Sequence, residues 1–258
     1  LPILAYEKAK NYFTTILNEL VLDMDLLKKK VVPHRNFNNK ISQSMQCATE
    51  MFYPDFITPM AAVAGSVADN ILNVLVKDSN LEKAYVNNGG DVSFYLTENQ
   101  TVKSSLASIP NIIAEINYKD KSRGIATSGW RGRSFSLGIA DSVTVLADNA
   151  AMADAAATMI ANSVNIKNHP LIIKRPAEEI YEDSDLKNLM VTVEVGDLKQ
   201  SEIEDALRNG NEVGKTYLEN GLINSALIEL HNCFCIVQKE STNLNFINKS
   251  SLKKINYV

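Results

Sequence analysis

The alternation of apolar and polar positions divides the chain into helical and extended segments. Thr58, followed by Pro59, can cap one helix, and Asp148 with Asn149 can cap another that is rich in alanine. Apolar residues at helical spacing extend the prediction to two more segments. The predicted helices cover residues 3–20, 59–76, 150–162 and 201–221.

Extended segments lie between these helices. Residues 83–97 form strand, glycine turn and strand, and residues 124–147 form strands around a loop, the last of them at Ser142–Leu146. Single strands are predicted over 112–118, 171–177, 191–198 and 223–239. Helices and strands interleave irregularly, which favours one α+β domain over residues 1–240. Residues 241–258 are polar and lysine-tipped, and we expect a loose tail there.

Composition and charge argue against several classes of protein. Apolar residues make up 45% and charged residues 22% of the 258, as in ordinary globular proteins. The net charge is −4 and basic residues are scattered, so nucleic acid is not an expected partner. The longest apolar stretch contains Asp69, Asn70 and Asn73, and we interpret it as too polar to span a bilayer.

The cysteines and the first residues favour a reduced, cytoplasmic setting. Three cysteines cannot build a disulfide framework, and residues 1–10 lack the order of charge and apolarity of a secretory signal. Cys233 and Cys235 share one face of a predicted strand, close to His231. We interpret them as strand hydrophobes, because no second Cys or His pair completes a tetrahedral metal site.

The turn in "VNNGGDV", residues 86–92, allows two interpretations. Asn and Gly adopt positive φ at low cost, so Asn88, Gly89, Gly90 and Asp91 can simply connect two strands. The same residues can form a cradle in which backbone N–H groups approach a ligand and Asp91 adds a charge. The residues alone leave both alternatives open.

A polar stripe runs along the alanine-rich helix. Asp154, Thr158 and Asn162 recur every four positions, and no Lys or Glu lies between Ala150 and Val164. A carboxylate and a hydroxyl that point inward from a closely packed helix suit Mg²⁺ or Ca²⁺. An internally satisfied polar pair explains the stripe equally well.

The segment "TSGWRGRSFS", residues 127–136, concentrates groups that bind anions and flat rings. It contains the only tryptophan of the chain, Trp130, and two arginines, Arg131 and Arg133, which we expect to bind a carboxylate or phosphate. An ordinary exposed loop is the alternative. Ser128 and Ser134 have no histidine nearby in the sequence, so no serine nucleophile is indicated.

Four ordered motifs resemble those of the uncharacterised ApbE-like proteins, relatives of the FAD:protein FMN transferase. They are "TPMAAVAGSVAD", "VNNGGDV", "GIATSGWRGRSFSLGIADSVTVLA" and "ADAAATMIANSV", and the resemblance covers roughly residues 55–165. It implies the ApbE-like fold, a single α+β domain with mixed or antiparallel sheets packed by helices. It also implies a flavin nucleotide site shaped by residues 88–91 and by Thr127, Ser128 and Gly129. Asp154 and Thr158 would then hold a metal ion.

The chain departs from the transferase in two segments. Ala64-Gly65 stands where the transferase has Lys-Gly, and Phe135–Asp141 replaces its His-rich strand and Asp-Pro-x-Thr-Gly loop. Relatives that share "PMAAVAG" tend to have a His where this chain has Arg133. Transfer of FMN to a protein is therefore not expected.

Two functions from different classes follow from these residues. One is a cytoplasmic, metal-dependent transferase or hydrolase for a small anionic or nucleotide-like substrate. The other is a flavin- or nucleotide-binding protein without turnover. Either would use Thr58, residues 88–91, the loop 127–134 and Asp154 with Thr158, and a homo-oligomer stays open in both.

Overall fold

The structure, a computed structural model, describes residues 2–105, 112–239 and 253–257. It confirms the α+β class, with mixed and antiparallel sheets packed by helices. The contacts divide the chain into two compact units. The first unit contains residues 1–102, 117–126 and 146–155, and the second contains residues 103–116, 127–145 and 156–258.

Helices supply the core of the first unit. A helix α1 at Pro2–Leu27 packs against α2 at Lys40–Glu50 and α3 at Val63–Val76, which follows a 3-10 turn at Pro59–Ala62. The first residues of α4, Ala150–Ser163, also belong to this unit. The interior between the first three helices is formed by Ile16, Leu20, Leu27, Ile41, Met45 and Val67.

A hairpin and a third strand complete the first unit. The strands β1 at Lys83–Asn88 and β2 at Asp91–Leu96 are antiparallel, with Asn88 opposite Asp91. The start of β5, Gly124–Ser128, pairs antiparallel with β2, where Gly124 lies opposite Ser93. Because α3 packs on β1 and β2, it holds the hairpin from one face.

The second unit contains the remaining strands. In its largest sheet, β6 at Ser142–Ala147 lies beside β9 at Ser225–Leu230, which forms a hairpin with β10 at Cys233–Gln238. The other elements are β3 at Thr101–Ser105 paired with β4 at Ile113–Asn117, β7 at Ile172–Pro176 paired with β8 at Met190–Val195, the short α5 at Ala177–Ile180, and α6 at Gln200–Glu219.

Two sequence predictions are corrected by the second unit. The single strand predicted over 223–239 is a hairpin, because His231 and Asn232 take positive φ values of 47° and 62° and turn the chain. The loose tail predicted over 241–258 is wrong for its described part. Lys253–Lys254 form β11, which pairs parallel with β10. Residues 241–252 and 258 of that prediction lie outside the described residues.

One segment of the described chain, Pro59–Val76, is long and apolar enough to cross a membrane by length and composition. Core helices of folded domains meet the same criteria. In this structure the segment buries Gly65, Ser66 and Ala68, and its Asp69 is hydrogen-bonded within the first unit. Of this segment, 39% is buried inside the protein.

The cysteines should differ sharply in their reactivity towards a thiol reagent. Cys47 is exposed, whereas Cys233 and Cys235 are buried on β10, and burial raises the pKa of Cys235 to about 12. The thiolate is the reactive form of cysteine. We therefore expect one thiol per chain to react in the native protein, and the other two to react only after denaturation. A Cys47→Ser variant is the control. Rapid reaction of that variant in its native state would contradict the prediction.

Candidate functional site

Two helices of the first unit cap each other. Asp69, in the second turn of α3, accepts hydrogen bonds from the backbone N–H groups at the start of α4, Ala150 at 3.1 Å and Ala151 at 2.9 Å. It also accepts one from the hydroxyl of Ser93 on β2, at 2.5 Å. The first N–H groups of a helix have no partner within the helix, so Asp69 satisfies donors that would otherwise remain unpaired.

Asp154 of α4 accepts hydrogen bonds from backbone N–H groups at the start of α3. Its Oδ2 accepts the backbone N–H of Gly65 at 3.0 Å, and the N–H of Ala64 also donates to its carboxylate. We call this reciprocal arrangement of Asp69 and Asp154 the double cap. The two helix starts approach so closely that a Cβ on Gly65 would overlap the backbone carbonyl of Ala150. The glycine of the "AVAG" motif is therefore required by this contact.

The double cap concentrates negative charge in a partly buried place. Burial raises the pKa of Asp154 well above its usual range, and repulsion from Asp91 and, more weakly, Asp69 adds to the increase. The N–H groups of Gly65 and Ala64 act in the opposite direction. Burial likewise raises the pKa of Asp69 against its three hydrogen bonds. A cation would stabilise the charged form of Asp154.

The glycine turn is a two-residue hairpin turn that is also tied to α3. Gly89 and Gly90 have φ values of 72° and 121°, and the N–H of Gly90 donates to the side chain of Asn87 at 2.9 Å. The amide of Asn88 donates to the carbonyl of Ala64 at 3.2 Å. This turn therefore lies at the start of α3, where Asp154 also binds. Its role as a ligand wall stays a prediction.

A pocket of about 540 Å³ lies between α3 and β2 in the first unit. The wall of the pocket includes Asp69 of the double cap and Ser93, which donates a hydrogen bond to Asp69. Asn70, Asn73 and Arg123 add polar groups. A volume of this size falls within the range of about 300–1,000 Å³ that small-molecule sites occupy.

In the second unit, Asp141 organises the loop 127–134, which we call the Trp130 loop. Its Oδ1 accepts the indole N–H of Trp130 at 3.1 Å and the Nε–H of Arg131 at 2.5 Å. Its Oδ2 accepts the backbone N–H of His231 at 2.7 Å. The Arg131 guanidinium lies over the Trp130 ring, 4.7 Å from its centre. Arg131, which the sequence marked as an anion ligand, is therefore ion-paired within the protein.

The other predicted site residues occupy varied environments. Thr58 is buried at the cap position of the 3-10 turn, but its hydroxyl makes no capping hydrogen bond. The hydroxyls of Thr127 and Thr144 are 2.8 Å apart, and that of Thr158 lies 3.4 Å from the Ser128 hydroxyl. Arg133 and Ser134 are exposed in the Trp130 loop.

The fit of these residues to a metal ion is partial. Within residues 2–105, 112–239 and 253–257, no group of three or more His, Cys, Asp or Glu side chains has the arrangement of a metal centre. Asp154 and Thr158, one turn apart on α4, supply two oxygen donors. Mg²⁺ often binds proteins through one or two carboxylates and keeps several waters, so this donor set suits Mg²⁺ better than a fully protein-ligated ion.

Two important residues were not identified as site residues from the sequence. Asp69 appeared only as a polar interruption in an apolar stretch, and Asp141 only as the end of a segment that differs from the transferase. A signal for Asp69 existed, since an Asp inside an apolar helix requires a partner. Nothing local marks Asp141, whose donors come from a loop and from the distant His231.

The structure combines a glycine hairpin turn with two helices that are capped by each other's aspartates, within an α+β fold. The chain belongs to the family described as AbpE bacteria, whose model matches residues 3–240. The predicted ApbE-like family is thereby confirmed, whereas a relation to the FAD:protein FMN transferase stays a prediction.

Archaeal UPF0280 proteins are similar to part of the chain. The protein of Methanococcoides burtonii is 40% identical over 114 residues, 43% of this chain and 47% of the relative. The protein of Methanocaldococcus jannaschii is 31% identical over 144 residues, which are 53% of this chain and 57% of the relative. The protein of Methanobrevibacter smithii is 34% identical over 134 residues, which are 49% of this chain and 56% of the relative. The chain thus spans about half the length of the curated relatives it matches.

Proposed function

We propose that this protein is a cytoplasmic, metal-dependent transferase or hydrolase that acts on a small anionic or nucleotide-like ligand. The observation that carries the proposal is the accumulation of carboxylates at the start of α3, where burial and then the neighbouring carboxylates of Asp91 and Asp69 raise the pKa of Asp154. Shifted carboxyl pKa values concentrate at functional sites. The exact substrate is left open by this proposal.

A divalent cation accounts for the charge of this site. An anionic ligand would be repelled by Asp69, Asp91 and Asp154 unless a cation neutralised them. We propose that Asp154 and Thr158 hold Mg²⁺ or Ca²⁺, which would act as a Lewis acid towards a phosphoryl or carbonyl oxygen. The double cap holds the carboxylate of Asp154 in place, because the N–H groups of Gly65 and Ala64 fix its orientation.

The pocket beside Asp69 supports a ligand of nucleotide size. Its volume of about 540 Å³ exceeds what an inorganic anion needs, and its polar lining of Asn70, Asn73 and Arg123 suits hydroxyl and amide groups. A flavin nucleotide is the ligand that the ApbE-like fold suggests. Separately, the Trp130 loop of the second unit offers a flat ring and the Arg133 cation to a ligand.

Metal binding is tested by thermal unfolding with MgCl₂ or CaCl₂. At a cation concentration about a hundredfold above Kd, native-state binding adds about 2.7 kcal/mol of stability, which raises Tm by roughly 5–10 °C. Asp154→Asn keeps an acceptor for the N–H of Gly65 but loses the charge, and we expect its shift to vanish. Asp197→Asn, at an exposed position, is the matched control. Equal shifts for wild type and Asp154→Asn would reject the proposed metal site.

The reaction is tested separately from metal binding. The small molecule that copurifies with the protein is identified by mass spectrometry and visible absorption, and is then incubated with the protein and Mg²⁺. We expect its conversion. In a parallel assay with FAD, Mg²⁺ and a flavinylatable acceptor, no fluorescent protein band is expected, and robust labelling at catalytic protein concentrations would contradict that expectation.

Binding of a flavin or nucleotide without turnover is the second candidate. The observation in its favour is that Arg131 is already occupied by Asp141 and Trp130, which leaves fewer groups for transition-state stabilisation in the Trp130 loop. A copurified ligand that stays chemically unchanged after incubation with either metal would favour this candidate over an enzyme.

A further inference from the structure

We propose that Asp141 is the positioning residue of the Trp130 loop, and that it fixes the Trp130 ring so that one face is covered by Arg131 and the other receives a planar ligand ring. The inference rests on the proposed function for its ligand. Its structural part, the control of Trp130 by Asp141, stands on contacts within the second unit alone.

The carboxylate of Asp141 binds three groups that would otherwise move separately. Oδ1 holds the side chains of Trp130 and Arg131, and Oδ2 holds the backbone N–H of His231 in the turn between β9 and β10. The side chain of Asp141 is 12% exposed, so these bonds are largely shielded from water. Because one carboxylate joins the loop to the hairpin turn between β9 and β10, loss of its charge should release the loop.

Backbone contacts leave the start of the loop little freedom. Gly129 has a φ of 156°, and a Cβ there would lie 2.5 Å from the carbonyl oxygen of Asp141. The N–H of Trp130 donates to the carbonyl of Ala140 at 3.0 Å. The backbone of Trp130 is thus fixed beside the residue that holds its side chain, so the remaining variable is the orientation of the indole ring.

The stacked pair limits how a ligand can approach. Arg131 covers one face of the indole with its guanidinium, which gives an attractive contact between cation and ring. A planar heterocycle can then stack only on the opposite face. The cation of Arg131 is neutralised by Asp141, so binding of the anionic group of such a ligand should not depend on Arg131.

Trp130 reports on this arrangement directly, because it is the only tryptophan in the chain. In the protein without added ligand, Asp141→Asn should shift the tryptophan emission maximum to longer wavelength and increase quenching by acrylamide, since the ring gains exposure. Asp197→Asn is the matched control and should leave both unchanged. An unaltered emission spectrum and unaltered quenching in folded Asp141→Asn would overturn the positioning role.

The ligand part is tested by titrating FMN and following Trp130 fluorescence. In the wild type, FMN should quench the emission saturably, and Asp141→Asn should weaken FMN binding about tenfold, as expected when a charge-assisted hydrogen-bond network is lost. Riboflavin, which lacks the phosphate, should bind more weakly, and Arg133→Lys should reduce that difference. If wild-type FMN quenching is absent while the emission of Asp141→Asn still shifts, the positioning role stands and the flavin form of the proposed function fails.

A second variant covers the case in which Asp141→Asn does not fold. Arg131→Lys leaves the Trp130 bond to Asp141 intact but removes the planar cation from the ring, so a smaller emission shift in the same direction is expected. Far-ultraviolet circular dichroism and Tm accompany each variant. A residue that only contributes global stability would lower Tm without changing the emission of the folded protein, and that result would overturn the proposal.

Discussion

Gly65→Ala should lower the stability of the protein by about 3 kcal/mol and its Tm by roughly 10 °C. The added Cβ would overlap the carbonyl of Ala150, and the nitrogen of Ala151 would lie only 2.7 Å away. Both are backbone groups at the start of α4, so no side-chain rotation can relieve the overlap. The helices α3 and α4 must separate, which weakens the hydrogen bond from Gly65 to Asp154.

Urea unfolding followed by circular dichroism measures this effect. Gly196→Ala is the control, because the nearest atom to its added Cβ is the Cβ of Leu171 at 3.1 Å, in a partly exposed place. That change should stay within about 1 kcal/mol. Equal stability of Gly65→Ala and wild type would show that the close approach of the two helices is not required.

Asp69→Ala should be similarly destabilising, by about 3 kcal/mol, because it leaves three donors without their acceptor. The N–H groups of Ala150 and Ala151 and the hydroxyl of Ser93 all donate to this carboxylate. Asp69→Asn retains one acceptor oxygen and should lose less. A loss of less than 1 kcal/mol in Asp69→Ala would mean that water replaces the carboxylate at α4.

A double-mutant cycle tests whether the two caps depend on each other. Combining Asp69→Ala with Asp154→Ala should destabilise by less than the sum of the single changes, with a coupling of about 1 kcal/mol or more. The physical reason is that either single change already loosens the contact between α3 and α4. Full additivity would show that each aspartate acts as an independent helix cap.

Most elements of the fold were predictable because their signals are local. The start of the helical segment at Pro59, the hairpin around Gly89 and Gly90, and the cap of α4 follow from turn and cap chemistry within a few residues. Met152 N–H indeed donates to the side chain of Asn149 at 2.8 Å. The sequence pattern does not predict the helix α2, because its buried face includes the polar residues Ser42, Gln46 and Thr49 and so lacks a regular apolar spacing.

The candidate site was less predictable because its contacts join distant parts of the chain. Asp69 binds N–H groups 81 and 82 positions away, and Asp141 binds one 90 positions away. No window of sequence contains both partners of such a bond. The sequence did identify Asp154 and the Gly89-Gly90 turn as members of a site, through an unusual helix composition and a family resemblance. The pairing of Arg131 with Asp141 and Trp130 could be seen only in the structure.

The double cap also sets an order of events during synthesis. The N–H group of Gly65 leaves the ribosome 89 residues before its acceptor, Asp154. Until then only water can satisfy the first turn of α3, and the carboxylate of Asp69 has no helix to bind. Neither interaction can form in a chain that ends before α4. Synthesis of α4 therefore provides the caps of both α3 and α4. A nascent chain arrested before residue 150 should have a frayed α3 that proteases cleave readily.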